Sequence, residues 1–168
     1  MYRLICRIIC KLRTIGFPVS DYFFLKALYF LAVGEKLNLS PPTTFTKKMQ
    51  WLKLHDHNEK YHSLVDKLTV KDYVSNAIGE QYVIKTLGVW NSVDKIDVNC
   101  LPNQFVLKTT NGGGSTGGVI CRNKKSFDFE DAKRRLKWSA QFDIYQKMGE
   151  WVYKGIKPRI IAEELLVN

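Results

Sequence analysis

The stretch of the chain best equipped for chemistry is residues 108–118, Lys-Thr-Thr-Asn-Gly-Gly-Gly-Ser-Thr-Gly-Gly. Five of the chain's 11 glycines fall in its last seven positions. Glycine lets backbone N–H groups approach an anion closely and tolerates backbone angles that other residues avoid. The stretch therefore predicts a loop that cradles phosphate. A flexible hairpin turn is the alternative interpretation.

Three known nucleotide-binding motifs compete for this loop, and each fails on its context. A Walker P-loop ends in Gly-Lys-Ser/Thr before a helix, whereas Lys108 precedes the glycines. Residues 112–117 match the dinucleotide fingerprint Gly-x-Gly-x-x-Gly, but that motif requires a helix next, and residues 119–121 predict a strand. The protein-kinase loop also fits up to Val119. However, the chain contains no Val-Ala-Ile-Lys, His-Arg-Asp or Asp-Phe-Gly motif.

The elements before the loop are predicted to be helical. Asp21 is expected to cap a helix that stops at Gly34, and a short helix carries Phe45, Met49 and Leu52 on one face. Residues 63–66, Ser-Leu-Val-Asp, fit a capping-box start for a further helix that ends at Gly79.

From residue 81 the pattern changes to strands. Apolar runs predict strands at residues 82–86, 105–109, 118–122 and 160–166, and one apolar stripe predicts a long helix over residues 129–148. The mixture of strands and helices predicts an α/β or α+β fold.

The composition favours an anionic partner. The chain has 168 residues and a formal net charge of +10, from 26 Lys+Arg against 16 Asp+Glu. Nucleotide phosphates, an acidic glycan, an anionic membrane or nucleic acid would fit that charge, but no nucleic-acid-binding motif is present, so nucleic acid is not favoured. Cys6, Cys10, Cys100 and Cys121 lack metal-ligand spacing, as do the three histidines, so no metal site is predicted.

The first residues alternate basic and apolar side chains, which excludes a signal peptide over residues 1–13. Residues 22–33 are more apolar but too short to cross a membrane. We expect residues 1–13 to form a helix packed on the protein. Peripheral contact with a membrane surface is the alternative.

The order of strand, lysine, glycine loop, strand, helix and acidic strand resembles the ATP-grasp fold. More closely, the chain resembles the TupA-like ATP-grasp family of bacterial polysaccharide biosynthesis, often labelled glycosyltransferases. The matching segments cover roughly residues 20–168 and include Leu37-Asn38-Leu39, Gln50-Trp51-Leu52-Lys53-Leu54, Asp66-Lys67, Val70-Lys71-x-Tyr73-Val74, Ile78-Gly79-Glu80, Gln104-Phe105-Val106-Leu107-Lys108 and Lys157-Pro158-Arg159-Ile160-Ile161-Ala162-Glu163.

The resemblance implies ATP as the ligand and assigns its contacts. Lys108 and the upstream Lys67 would contact phosphates, and the carboxylates and apolar residues of the last strand would meet adenine. For Lys67, a solvated helix residue is an equal alternative. The candidate nucleotide-binding residues are Lys67, Lys108, Gly112, Gly113, Gly114, Ser115, Thr116, Gly117, Glu163, Glu164 and Leu166. No catalytic residue is assigned.

The loop departs from the family pattern in two ways. Asn111 stands where a histidine is frequent, and the glycine run is longer than usual. Both differences put normal closure over the phosphates in doubt.

The resemblance also implies a lobe organisation. It suggests a basic helix at residues 1–20, a helical lobe at 21–80, a glycine-loop nucleotide-binding lobe at 81–157, and at 158–168 the first strand of an incomplete C-terminal lobe. Mg²⁺ would then be expected only in the complete enzyme. We expect a truncated, inactive chain that exposes apolar surface and self-associates.

The implied chemistry is ATP-dependent ligation of a carboxylate to an amine through an acyl-phosphate, in cell-surface polysaccharide assembly. The partners would be a nucleotide and a saccharide or amino-acid-linked glycan precursor. The implied location is the cytoplasm, including the inner face of the membrane. A transferase that uses a nucleotide-sugar donor and a non-catalytic, membrane-peripheral binding module are the alternatives.

Overall fold

A computed structural model describes residues 1–113 and 117–166 of the chain. The described residues form seven α-helices and four β-strands. The helices are α1 Tyr2–Thr14, α2 Asp21–Val33, α3 Phe45–His55, α4 Lys60–Val65, α5 Thr69–Ile78, α6 Phe129–Gln141 and α7 Ile144–Met148. The strands are β1 Thr86–Trp90, β2 Phe105–Thr109, β3 Gly118–Cys121 and β4 Ile160–Glu163. This mixture confirms the predicted α/β class.

The chain divides into two compact units. One comprises Met1–Tyr61 and Asp143–Lys154, and the other comprises His62–Phe142 and Gly155–Asn168. This partition places residues 143–154 with the helical start of the chain. The lobes predicted from the sequence, with boundaries at residues 20, 80 and 157, are consecutive segments and do not group these residues with the start of the chain.

The first unit is helical, and its helix ends follow local hydrogen-bonding rules. The left-handed backbone of Gly34, with φ 84°, ends α2 where the sequence predicted. The predicted cap at Asp21 was wrong by one residue, because the hydroxyl of Ser20 accepts from the N–H of Phe23. Asp21 instead receives the guanidinium of Arg13 at 2.5 Å.

The predicted capping box at residues 63–66 was also wrong. Ser63 lies inside α4. The carboxylate of Asp66 caps the next helix, accepting from the N–H groups of Leu68 at 2.9 Å and Thr69 at 3.1 Å. An aspartate two or three residues before a helix can satisfy its free donors as well as a serine can, so the sequence allowed both starts.

The second unit is built on an antiparallel sheet with the strand order β1-β4-β2-β3. Helix α6 covers one face of the sheet. Ala132 and Leu136 of α6 belong to one buried core with alternate residues of β2, β3 and β4, namely Phe105, Leu107, Val119, Cys121, Ile160 and Ala162. The opposite face carries Lys108 and Glu163, as the two-residue period of a strand requires.

The bounds of two strands agree with those predicted to within one residue. β2 matches its predicted bounds, and β3 is shorter by one residue. β4 begins at Ile160 as predicted but ends at Glu163 rather than at residue 166.

The strand predicted at residues 82–86 was wrong, because a 3₁₀ turn spans Glu80–Tyr82 and the strand starts at Thr86. Tyr82, Val83 and Ile84 line a cavity instead of entering the sheet.

The long helix predicted over residues 129–148 is two helices. α6 ends at Gln141, and the side chain of Asp143 caps α7 by accepting from the N–H of Gln146 at 2.9 Å. A local cap at this position competes with continuation of the helix. A periodic apolar stripe does not reveal such a break.

Across residues 1–113 and 117–166, no helix has the length and apolar character needed to cross a bilayer.

Candidate nucleotide-binding site

Lys108 and Glu163 form the centre of the site, on adjacent strands of the sheet. In the register of β2 with β4, Lys108 lies opposite Ile161, and Glu163 lies opposite Val106. The two side chains therefore meet diagonally across the strand pair. The ammonium nitrogen of Lys108 lies 2.5 Å from Oε2 of Glu163.

The second oxygen of Glu163 is held by Lys71, a residue to which the sequence analysis assigned no role. Nζ of Lys71 lies 2.6 Å from Oε1 of Glu163, and it also donates to the carbonyl of Ile84 and the hydroxyl of Thr86 at 2.7 and 2.8 Å. Lys71 lies on α5, one residue after Val70 and three before Val74, and all three line the same cavity.

Glu163 is ionised despite its burial. Its side chain is only 5% exposed. Burial opposes its charge, but the hydrogen bonds from Lys108 and Lys71 outweigh this effect and lower the pKa of Glu163 below its ordinary value. This buried carboxylate therefore has two cationic partners, Lys71 and Lys108.

Lys67 completes a group of three lysines, which we call the lysine cluster: Lys67, Lys71 and Lys108. Its ammonium group donates to the carbonyl oxygen of Gly112, and its backbone N–H donates to the carbonyl of Thr110 at 2.9 Å. Burial and repulsion from Lys108 lower the pKa of Lys67, against the attraction of Asp66 and Glu163. An anion placed here would relieve that repulsion. The alternative interpretation of Lys67 as a solvated helix residue does not account for its hydrogen bonds to the loop.

Asp66 and Arg159 brace the backbone that carries the glycine loop. Arg159 donates to the carboxylate of Asp66 at 3.2 Å. The carbonyl of Arg159 accepts from the N–H of Thr110 at 2.8 Å, and the hydroxyl of Thr110 accepts from the N–H of Arg159 at 3.1 Å. The start of the loop is thereby fixed to β4 and to the turn before α5.

The two ends of the glycine loop converge at a narrow neck. A Cβ atom on Gly112 would lie 2.4 Å from the hydroxyl of Thr109 and 2.9 Å from Cα of Gly117. That hydroxyl is already hydrogen-bonded to Ser139 of α6 at 2.8 Å. Only glycine fits at these two positions without displacing backbone. By contrast, a Cβ atom on Gly113 would meet no atom within 4 Å in the part of the chain that the structure describes.

Two sets of predicted site residues have no described part in this arrangement. Gly114, Ser115 and Thr116 fall outside the described residues. Glu164 and Leu166 are exposed and do not line the cavity described below, and Glu164 lies 4.0 Å from Lys85 at its closest charged atoms. Their assignment to adenine stays a prediction.

Asn111 is buried at the foot of the loop. It is 7% exposed, and its Oδ1 accepts no hydrogen bond from residues 1–113 or 117–166.

An open cavity of about 240 Å³ adjoins the lysine cluster. Its walls combine the charged groups of the site with apolar side chains; it is lined by Lys67, Val70, Lys71, Val74, Tyr82, Val83, Ile84, Lys108 and Glu163. Pockets that enclose whole drug-sized ligands start at roughly 300 Å³, so this cavity suits one part of a nucleotide. Three ammonium groups against one carboxylate leave the site net positive, which favours an anion.

A metal site is not evident among these groups. Within residues 1–113 and 117–166, no group of three or more His, Cys, Asp or Glu side chains is placed to hold a metal ion. The carboxylate nearest the cavity, Glu163, has both oxygens occupied by ammonium groups.

The sheet carries Lys108 immediately before the glycine loop and Glu163 on the neighbouring strand, an arrangement that agrees with the resemblance to the ATP-grasp fold. The TupA-like ATPgrasp family model matches residues 47–168. The chain belongs to this family, which confirms the resemblance drawn from the sequence. ATP binding is the general property that membership implies. Searches among curated proteins and among solved structures each found no match.

Proposed function

We propose that the chain binds ATP through the lysine cluster and the glycine loop, as the nucleotide-binding part of an ATP-grasp enzyme of cell-surface polysaccharide biosynthesis. The observation that carries this proposal is that the lysine cluster and Glu163 line one cavity at the foot of the loop, where Lys71 and Lys108 both pair with Glu163. A fixed ammonium group beside a polyphosphate forms a charge-assisted hydrogen bond, which is about twice as strong as a neutral one.

Each lysine has a distinct part in this proposal. Lys108 is 30% exposed at its side chain, so its ammonium group reaches the cavity while Glu163 orients it. Lys71, at 14%, is the more buried and serves to hold Glu163 ionised and in place. Lys67 links the cluster to the loop, because its ammonium group donates to the carbonyl oxygen of Gly112. A phosphate bound by Lys67 would therefore lie next to the backbone of the loop.

The reaction we propose for this enzyme class joins a carboxylate to an amine. A carboxylate oxygen of the substrate attacks the γ-phosphorus of ATP, which releases ADP and forms an acyl-phosphate. The amine then attacks the acyl carbon, the bond from that carbon to the phosphate oxygen breaks, inorganic phosphate leaves, and the nitrogen loses a proton to solvent. Lys108 and Lys67 would neutralise charge on the phosphates during the first step.

Mg²⁺ would neutralise phosphate charge in such a reaction, but we assign it no step here. Magnesium is normally held by one or two carboxylates together with phosphates and waters. The described residues around the cavity offer only Glu163, and its oxygens are engaged by Lys71 and Lys108.

Isothermal titration of ATP into the protein tests the proposal, with Lys108→Ala as the site variant and Lys95→Ala as the control. Lys95 is exposed and lies outside the cavity, and both variants lose one positive charge. We expect Lys108→Ala to weaken ATP binding by about 10- to 100-fold, the loss typical of a hydrogen bond between charged groups. The control should bind as the wild type does. Equal binding by both variants would refute the site.

A second experiment on the same proteins distinguishes ATP from a nucleotide-sugar donor, the alternative that the sequence left open. Circular dichroism first shows that each variant is folded, and thermal melts are then recorded with ATP and with a uridine diphosphate sugar. Protection by ATP alone supports the ATP-grasp proposal, because a ligand stabilises only the state that binds it. Protection by the sugar nucleotide alone would replace it with the transferase.

A further inference from the structure

Helix α1 has one face fixed against its own unit. Cys6 and Arg13 are 1% and 3% exposed, and Tyr2 packs edge-on against Phe30 of α2 with ring centroids 4.6 Å apart. The guanidinium of Arg13 lies over the rings of Phe24 and Tyr145, in addition to its pair with Asp21. These contacts set the rotation of α1 about its axis.

The opposite face of α1 carries an apolar row in solvent. Leu4 and Ile8 are 62% and 49% exposed, Ile5 beside them is 45% exposed, and Ile15, directly after the end of the helix, is 69% exposed. The four-residue spacing of Leu4 and Ile8 puts them on one stripe of the helix. Phe17, just beyond the helix end, adds another exposed ring at 58%. An isolated exposed apolar residue needs no explanation, but a continuous row of them indicates a binding surface.

A cationic row borders the apolar one. This row consists of Arg3, Arg7 and Lys11, which follow each other at intervals of four residues. All three side chains are exposed. The sequence has no acidic residue before Asp21. The surface is therefore apolar along one side and purely positive along the other.

We propose that this face of α1 docks on an anionic lipid surface, lying in the plane of the interface. The apolar row would enter the boundary between headgroups and acyl chains, and the cationic row would meet the lipid phosphates. A basic amphipathic helix with this division of faces binds membranes by the sum of these two effects. A second protein copy would place the same three cations against each other, so charge complementarity favours the lipid.

Flotation with vesicles of phosphatidylcholine alone or containing phosphatidylglycerol tests the proposal on the full chain. The wild type should float with the anionic vesicles. Replacement of Arg3, Arg7 and Lys11 by Gln should reduce that binding by roughly 100-fold, since each cation near an anionic surface contributes about fivefold. The matched control replaces Lys48, Lys95 and Lys125 by Gln; these exposed residues lie elsewhere, and the net charge falls from +10 to +7 in both variants.

A second variant, Leu4→Ser with Ile8→Ser, removes apolar contact from exposed positions and should also weaken flotation. Loss of binding in both α1 variants, with the control unchanged, supports the proposal. Equal loss in the control would show that net charge, and not the face of α1, causes the binding, and would overturn the proposal. Absence of flotation by the folded wild type would also overturn it. A stable dimer that the Ser variant dissociates, without any flotation, would assign the face to a second copy and also overturn it.

Discussion

The ammonium group of Lys108 and the carboxylate of Glu163 meet at 2.5 Å, although the residues are 55 positions apart in the chain. The second oxygen of the same carboxylate is held by Lys71, so one buried anion orients two cations from β2 and α5. A phosphate-binding lysine that is held in advance loses less conformational freedom when ligand arrives. Glu163 is thus a positioning residue for the proposed nucleotide site.

We predict that Glu163→Gln destabilises the protein by about 3 kcal/mol, because it leaves two largely buried ammonium groups without their carboxylate. Urea denaturation monitored by circular dichroism measures the change. Glu164→Gln is the matched control. Its carboxylate is half exposed and 4.0 Å from Lys85, so it should cost less than about 1 kcal/mol. Similar losses in the two variants would contradict the burial and pairing of Glu163.

Acid should destabilise the protein in a way that depends on Glu163. The folded-state pKa of Glu163 is lowered from 4.5, and that of Asp66 from 3.8. A lowered folded pKa adds stability above the unfolded value, and this is lost as pH falls through the folded value. The urea concentration at the unfolding midpoint should therefore decrease as the pH is lowered below 4.5. This decrease should be shallower in Glu163→Gln. Parallel profiles for the two proteins would refute the coupling.

Gly112→Ala should disturb the neck of the glycine loop, whereas Gly113→Ala should not. The new methyl group at Gly112 would overlap the hydroxyl of Thr109 and crowd Gly117, while the one at Gly113 would enter open space. We expect Gly112→Ala to lose about 1–3 kcal/mol of stability, the usual range for overpacking. Thermal melts of both variants measure this. Wild-type melting by Gly112→Ala would show that the neck is wider than described.

ATP binding should take up protons through Lys67 at alkaline pH. Burial, reinforced by repulsion from Lys108, lowers the pKa of Lys67 from 10.5, and a bound polyphosphate would raise it again. ATP affinity should therefore fall as pH rises through the lowered pKa. Calorimetry in two buffers with different ionisation enthalpies measures the proton uptake. The uptake should shrink in Lys67→Gln; an unchanged uptake would assign the proton to another group.

The local patterns of the sequence determined much of this protein's secondary structure. The apolar pattern of β2 predicted its bounds, and Gly34 predicted the end of α2, because both signals act within a few residues. The order of motifs also identified the family and made Lys108 a candidate phosphate contact. The signals that failed were those with two local solutions, such as the caps at Ser63 and Asp66 or the break before Asp143.

Tertiary structure alone decided which charges meet. The diagonal register of β2 with β4 brings Glu163 to Lys108, and the packing of α5 brings in Lys71, which the sequence left without a role. Tertiary contacts also selected which face of α1 is buried, through Cys6 and the pairing of Arg13 with Asp21. Pairings between distant residues depend on register and helix rotation, and the free energy that sets these comes from the whole packed unit rather than from any local segment.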